Sequence, residues 1–138
     1  MLEYKVSATR IDAHGSEATT KEARLVLDTD LAGRVDAFNP AELLLASLAA
    51  CIIKSIERVT PMIHFQFRGV SVKLHATRRD APPMLTEITY EIVVDTDEDD
   101  RRLELLHTNV RKYGTISNTL ARATKLEGTI KRATTSST

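Results

Sequence analysis

Apolar and polar residues alternate along several stretches of the chain, which predicts half-buried β-strands. The alternation is clear over 2–11, 65–77 and 86–95, and a shorter stretch is clearest over 23–27. The segment 126–132 is a candidate last strand. We expect the first two strands, and then the next two, to pair as antiparallel hairpins.

A nearly continuous apolar run between the two hairpins predicts one long helix. Asn39 suits the N-cap, and Glu42, three residues later, can complete a capping box. The helix is expected to end before Pro61. Ser47 is the only polar side chain within 43–53, so we expect burial on nearly all sides.

Two further helices are predicted after the second hairpin. Asp97 can cap the first of them, and Gly114 suits a left-handed residue at its end. A short third helix is expected to reach about Lys125. The apolar stripe of the earlier helix consists of Leu103, Leu106, Val110 and Tyr113.

The predicted order β-β-α-β-β-α-α-β contains no parallel βαβ signature, so the fold class is α+β with mainly antiparallel sheets. One small sheet covers only one side of the long buried helix. Its other side needs the second helix or another subunit, which favours a homodimer.

Length and composition narrow the classes of function. The 138 residues predict one domain over 1–132, followed by a disordered polar tail over 133–138. The net charge is 0 and aromatic residues make up 4%, which argues against a nucleic-acid binder that acts through a basic field or an aromatic stacking platform. No signal pattern or membrane-length apolar run occurs, which predicts a cytoplasmic protein without a membrane partner.

Cys51 is the single cysteine, which excludes an intrachain disulfide and zinc sites that need several thiolates. The histidines lack metal-ligand spacing, and we expect neither a metal nor another cofactor. Cys51 is either a small core residue or a reactive thiolate. Ser47, Ser55 and Arg58 share its helical face, which favours a pocket there. His107 or His14 as a catalytic partner stays open.

Two segments resemble the sequence motifs of the OsmC/Ohr family. Residues 39–51 read NPAELLLASLAAC, and residues 112–120 read KYGTISNTL. The resemblance implies an OsmC-like fold, assembled as an intertwined homodimer with its two long helices at the centre. Many members are thiol peroxidases, in which a peroxidatic cysteine on the central helix reduces organic hydroperoxides. A resolving cysteine at the second motif then forms a disulfide, which a dithiol reductant reopens.

By this resemblance Cys51 matches the peroxidatic cysteine, while the resolving position falls on Gly114 and is lost. The family's catalytic glutamate falls on Ala41. The adjacent Glu42 lies nine residues before Cys51, on the opposite face of the helix, where a capping role suits it better. The arginine that supports the thiolate comes from the N-terminal hairpin; Arg10 is the nearest candidate, and the alternatives Arg24 and Arg34 stay open.

The sequence therefore leads to two hypotheses. In the first, a one-cysteine family member reduces or senses organic hydroperoxides through Cys51 and an external thiol reductant. In the second, a non-catalytic homodimer binds a small apolar ligand in the pocket near Cys51.

Overall fold

The computed structural model describes residues 1–134, which form two compact units, Met1–Leu44 and the chain from Leu45 onwards. The single domain expected over 1–132 stays a prediction. Residues 135–138 of the expected polar tail lie outside the described residues. In the described part of the chain, no helix is both long and apolar enough to cross a membrane.

The first unit contains a three-stranded antiparallel sheet in the order β1-β2-β3. Its strands are β1 (Ser7–Asp12), β2 (Gly15–Thr20) and β3 (Ala23–Leu27). The structure therefore has one strand more than the predicted order. The segment GSEATT of β2 lacks an apolar alternation, and β2 is held instead by backbone pairing with a neighbouring strand on each side.

Helix α1 (Pro40–Met62) starts with the predicted capping box. The backbone N–H of Asn39 donates to Glu42 Oε1 at 3.0 Å, and the Glu42 N–H donates to Asn39 Oδ1 at 2.8 Å. Each side chain thus satisfies a backbone donor that has no partner within the helix. The prediction for this end of the helix is confirmed.

The other end of α1 lies beyond the predicted position, because Pro61 is accommodated in the last turn. His64 has a left-handed φ of 53°, and the Phe65 N–H donates to the Thr60 carbonyl at 2.9 Å. This is the Schellman pattern, which satisfies a carbonyl of the last turn. Pro61 removes one backbone N–H donor, and the helix ends only one residue after it.

The second unit contains a three-stranded sheet in the order β4-β5-β6 and two helices. Its strands are β4 (Gly69–Asp80), β5 (Pro83–Asp95) and β6 (Lys125–Arg132). The β4–β5 hairpin is antiparallel, as predicted, whereas β5 and β6 pair in parallel. Helices α2 (Asp100–Tyr113) and α3 (Thr115–Ala121) supply the crossover that a parallel pair requires.

The cap of α2 differs from the predicted one. Asp99 is the N-cap and accepts a hydrogen bond from the Arg102 N–H at 2.9 Å. Asp97 forms an ion pair with Arg68 instead, at 3.0 Å. Since several acidic residues precede the helix, the sequence pattern placed the cap two residues too early.

The core of the second unit is formed by the buried faces of α1, α2 and β5. Its members are Leu48, Ile52, Ile56, Val59, Phe65, Ile88, Tyr90, Ile92, Val94, Leu103, Leu106 and Val110. The expected burial of α1 on nearly all sides is not found within one chain. Ala50 is exposed and Ile53 is only half-buried. The structure thus buries one face of α1. In α2, the predicted apolar stripe is buried except at Tyr113, which is 40% exposed.

Candidate functional site

Cys51 is a free cysteine on α1, and its side chain is half-buried. The next residue, Ile52, is fully buried. Of the residues expected to share its face, Ser55 is buried, whereas Ser47 and Arg58 are exposed. That Ser47 and Ser55 line a pocket with Cys51 stays a prediction. Partial burial leaves the sulfur in contact with the protein without enclosing it completely.

Gly114 brings the second sequence motif against the thiol. A Cβ added at this buried glycine would lie 3.3 Å from Cys51 Sγ. Ordinary van der Waals contact begins only slightly beyond this distance, so the backbone of Gly114 lies directly beside the sulfur. The two segments that carry the family resemblance therefore meet at Cys51.

The backbone conformation of Gly114 shows that the predicted left-handed conformation at this position was wrong. Its φ of −80° and ψ of 112° are extended, not left-handed, and it serves as the N-cap of α3. Any residue can adopt this conformation. Crowding by Cys51 and Ser117, and not a left-handed turn, is what favours a glycine at this position.

Ser117 is a site residue that the sequence reasoning missed. Its Oγ would lie 2.9 Å, and its Cβ 3.1 Å, from a Cβ at Gly114. The hydroxyl therefore occupies space that a side chain at position 114 would need. The available signal was spacing, since a residue three positions after the N-cap turns back towards it in the first turn of a helix.

The three arginines considered as thiolate partners all lie in the first unit. They differ in the carboxylates that they contact. Arg24 forms an ion pair with Glu17 at 2.7 Å. Arg34 contacts both carboxylate oxygens of Asp36, at 2.8 and 2.9 Å. Arg10 lies on the exposed strand β1, and its side chain has no ion pair or hydrogen bond among residues 1–134. Hydrogen bonding to the backbone lowers the pKa of Asp12 and the Arg10 charge helps to lower it, so a carboxylate lies near this arginine as well.

The histidines proposed as partners for Cys51 have other partners. His107 is buried, and its Nε2 lies 2.7 Å from the Tyr90 hydroxyl. Burial lowers the pKa of His107, and the nearby Arg111 charge lowers it further. His14 Nδ1 lies 2.7 Å from Asp30, and this hydrogen bond raises the His14 pKa. A Cys51–His107 pair through Nε2 is therefore not formed.

Residues suited to holding a metal do not cluster. Across 1–134, no three His, Cys, Asp or Glu side chains come together in a way that could hold an ion. The groups that the structure places around the space beside Cys51 Sγ are the Gly114 backbone and the Ser117 side chain.

Comparison with known proteins agrees with the two motifs. The family model for OsmC-like protein matches residues 33–128, which include both Cys51 and Gly114. No match is found among curated protein sequences.

Solved structures show the same fold at low sequence identity. An OsmC-like protein from Mycoplasma pneumoniae superposes with a TM-score of 0.83 at 18% identity, covering 96% of each chain. The organic hydroperoxide resistance protein OsmC from Legionella pneumophila gives 0.75 at 19% identity, covering 95% of this chain and 98% of its own. OhrB of Bacillus subtilis gives 0.65 at 16%, covering 94% and 98%.

The family match covers well over half of the sequence, and its two motifs meet in space beside one thiol. The chain belongs to the OsmC-like protein family.

Proposed function

We propose that this protein is a one-cysteine thiol peroxidase or sensor that acts on organic hydroperoxides in the oxidative stress response. The observation that carries the proposal is the placement of Cys51 Sγ beside the backbone of Gly114. Structural relatives include organic hydroperoxide resistance proteins, which supports this substrate class. A single unpaired thiol suits the reducing cytoplasm.

The first step is attack of the Cys51 thiolate on the terminal, hydroxyl-bearing oxygen of the hydroperoxide. An S–O bond forms as the O–O bond breaks, the alkoxide leaves and takes up a proton, and Cys51 becomes a sulfenic acid. The sulfur is oxidised by two electrons and the hydroperoxide is reduced to an alcohol. A cation near the sulfur favours the thiolate, and the arginine that the family resemblance implies for this role is Arg10, with Arg24 and Arg34 as the alternatives.

The second step requires an external thiol. Because position 114 is a glycine, no second cysteine in the chain can attack the sulfenic acid. A reductant thiol condenses with it, releasing water and leaving a mixed disulfide on Cys51. A second reductant thiol then displaces Cys51 as a thiol and forms the reductant disulfide.

We further propose that the active form is the intertwined homodimer. One chain leaves large apolar side chains exposed in its first unit: Leu2, Tyr4, Val6, Ile11, Leu31 and Val35. It also leaves one side of α1 partly uncovered. Apolar exposure of this extent is typical of an interaction surface, and a second copy of the chain is the occupant we assign to it.

The test is turnover with a reducing partner. We expect the purified protein to consume cumene hydroperoxide when a dithiol is supplied, and Cys51→Ser to abolish the consumption. Ser71→Ala is the matched control for removing one hydroxyl, because Ser71 is an exposed residue of β4, and we expect it to retain Cys51-dependent consumption. Wild-type consumption no faster than that of Cys51→Ser would refute the peroxidase proposal.

The second candidate, a non-catalytic binding protein, is favoured by the absence of the family's glutamate and second cysteine, replaced by Ala41 and Gly114. It predicts that Cys51→Ser retains affinity for a small apolar ligand. Loss of peroxide consumption with unchanged ligand affinity would show that binding and catalysis are separate properties.

A further inference from the structure

A small cavity in the second unit lies between the end of α2, α3 and the β5–β6 pair. It has a volume of about 150 Å³. Its lining residues are Tyr90, Arg111, Ser117, Asn118, Ala121 and Leu126. The lining combines hydrogen-bonding groups with apolar side chains, which is typical of a binding site for a small amphipathic molecule.

Arg111 is the charged group of the cavity. The structure gives its guanidinium no ion pair or hydrogen bond with any residue in 1–134, although several other arginines are paired with carboxylates. Burial is the main cause of the raised pKa of Tyr90 and of the lowered pKa of His107; the Arg111 charge opposes the first shift and adds to the second. A guanidinium without a carboxylate partner beside a cavity is suited to an anion from outside.

The inner wall of the cavity is rigid and polar. The ring of Tyr90 packs directly on Gly128, where a Cβ would overlap it, and its hydroxyl is hydrogen-bonded to the buried His107. Asn118 is held by its backbone N–H, which donates to the Gly114 carbonyl at 2.9 Å. The Tyr90 hydroxyl is thus held in place before any ligand arrives, and the Asn118 side-chain amide donates to the Lys112 carbonyl at 3.4 Å.

We propose that this cavity binds a small carboxylate, with Arg111 contacting the carboxylate and Ala121 and Leu126 contacting a short apolar chain. A volume of this size corresponds to about five water molecules at ~30 Å³ each, which suits a chain of a few carbons. The planar guanidinium fork matches a carboxylate in two parallel hydrogen bonds. This binding goes beyond the peroxide chemistry and does not require a reactive thiol.

The cavity shares one residue, Ser117, with the surroundings of the thiol. Ser117 lines the cavity and also crowds Gly114, whose other close neighbour is the Cys51 sulfur. A carboxylate in the cavity would therefore contact a residue that also borders the space beside Cys51.

The experiment is a titration of the full-length protein with butyrate, followed by NMR of the His107 ring and the backbone amides of α3. We expect saturable shifts at both places, because Tyr90 lines the cavity and bonds to His107. Arg111→Gln is expected to weaken butyrate binding by about tenfold or more, which matches the loss of a charged hydrogen-bonded pair. Arg122 is an exposed arginine outside the cavity lining, so Arg122→Gln should leave the affinity for butyrate unchanged.

Three comparisons make the outcome decisive. Cys51→Ser should retain butyrate binding, so a failed peroxidase proposal would leave this result intact. Neutral butyramide should bind at least about tenfold more weakly than butyrate. The proposal is overturned if butyrate causes no saturable shift, if Arg111→Gln binds as tightly as the wild type, or if inorganic phosphate binds as tightly as butyrate.

Discussion

Position 114 shows how one residue determines the chemistry open to Cys51. A side chain here would contact the sulfur, and the glycine leaves the sulfur facing backbone and the Ser117 side chain. The sequence identified the position through a motif, but it could not show that Ser117 fills the adjacent space. Packing between residues far apart in sequence decides that, and no local pattern encodes it.

Gly114→Cys should therefore restore an intrachain disulfide. The 3.3 Å between an added Cβ and Cys51 Sγ approaches the spacing across a disulfide, about 3 Å for an S–S bond of ~2.05 Å. Because Ser117 lies in the way, we expect the double variant Gly114→Cys, Ser117→Ala to oxidise more readily than the single one. Thiol counting and intact-protein mass before and after a mild oxidant measure the bridge.

Gly69→Cys is the matched control for that experiment, since no atom lies within 4 Å of a Cβ at this glycine. It should keep two free thiols per chain under the same oxidant. A Gly114→Cys variant that also keeps both thiols, even with Ser117→Ala, would contradict the described contact.

The buried His107 predicts a stability change with pH. Burial lowers its pKa below the ordinary 6.5, and among the charged neighbours Arg111 adds to this effect while Glu104 opposes it. The unfolded chain therefore binds the proton more readily, so stability is fully present above pH 6.5 and is lost as the pH falls below it. The slope cannot exceed about 1.4 kcal/mol per pH unit for one proton.

Urea unfolding at pH 7.5 and pH 5 measures this loss. His107→Gln should flatten the part of the acid slope that His107 causes. His14 has a raised pKa and acts in the opposite direction, so His14→Gln should leave the slope at least as steep. Equal slopes for the wild type and His107→Gln would contradict the buried neutral histidine.

Among the elements, α1 shows both what the sequence predicts and what it misses: the start of the helix was predicted correctly and its end was not. Its start follows from the local chemistry of Asn39 and Glu42, which the structure confirms. Its end depends on the Schellman closure at His64 and on buried Phe65, neither of which a proline-based rule includes. Strand β2 was missed for a related reason, since its pairing partners and not its own residues stabilise it.

The capping box gives a test at the scale of this helix. Asn39→Ala should lower the free energy of unfolding by about 1 kcal/mol, because the first turn loses a side-chain acceptor. Glu42→Gln should change it by less than about 0.5 kcal/mol, since glutamine also completes a capping box. Urea unfolding measures both effects.

The Glu42→Gln variant also tests whether this glutamate has a catalytic role. We expect its Cys51 to react with hydroperoxide at the wild-type rate. A large loss of rate with unchanged stability would show that Glu42 acts in the chemistry and not only as a cap.

On the scale of the whole molecule, the homodimer proposed above makes a prediction about the exposed apolar residues of the first unit. Leu31 and Val35 are almost completely exposed. Sedimentation at micromolar concentration should give twice the 15.3 kDa mass of one chain. Replacing both residues with aspartate should weaken the association, and a wild-type protein that sediments as a monomer would contradict the proposed homodimer.

The central claim is that Cys51 is a reactive thiol and not merely a packed one. The most direct test is the second-order rate constant for oxidation of Cys51 by cumene hydroperoxide, measured by trapping the sulfenic acid and mass spectrometry. We expect a rate constant at least about tenfold above that of free cysteine in the same buffer. This corresponds to an activation barrier that is lower by ~1.4 kcal/mol or more. A rate equal to or below that of free cysteine would contradict the account.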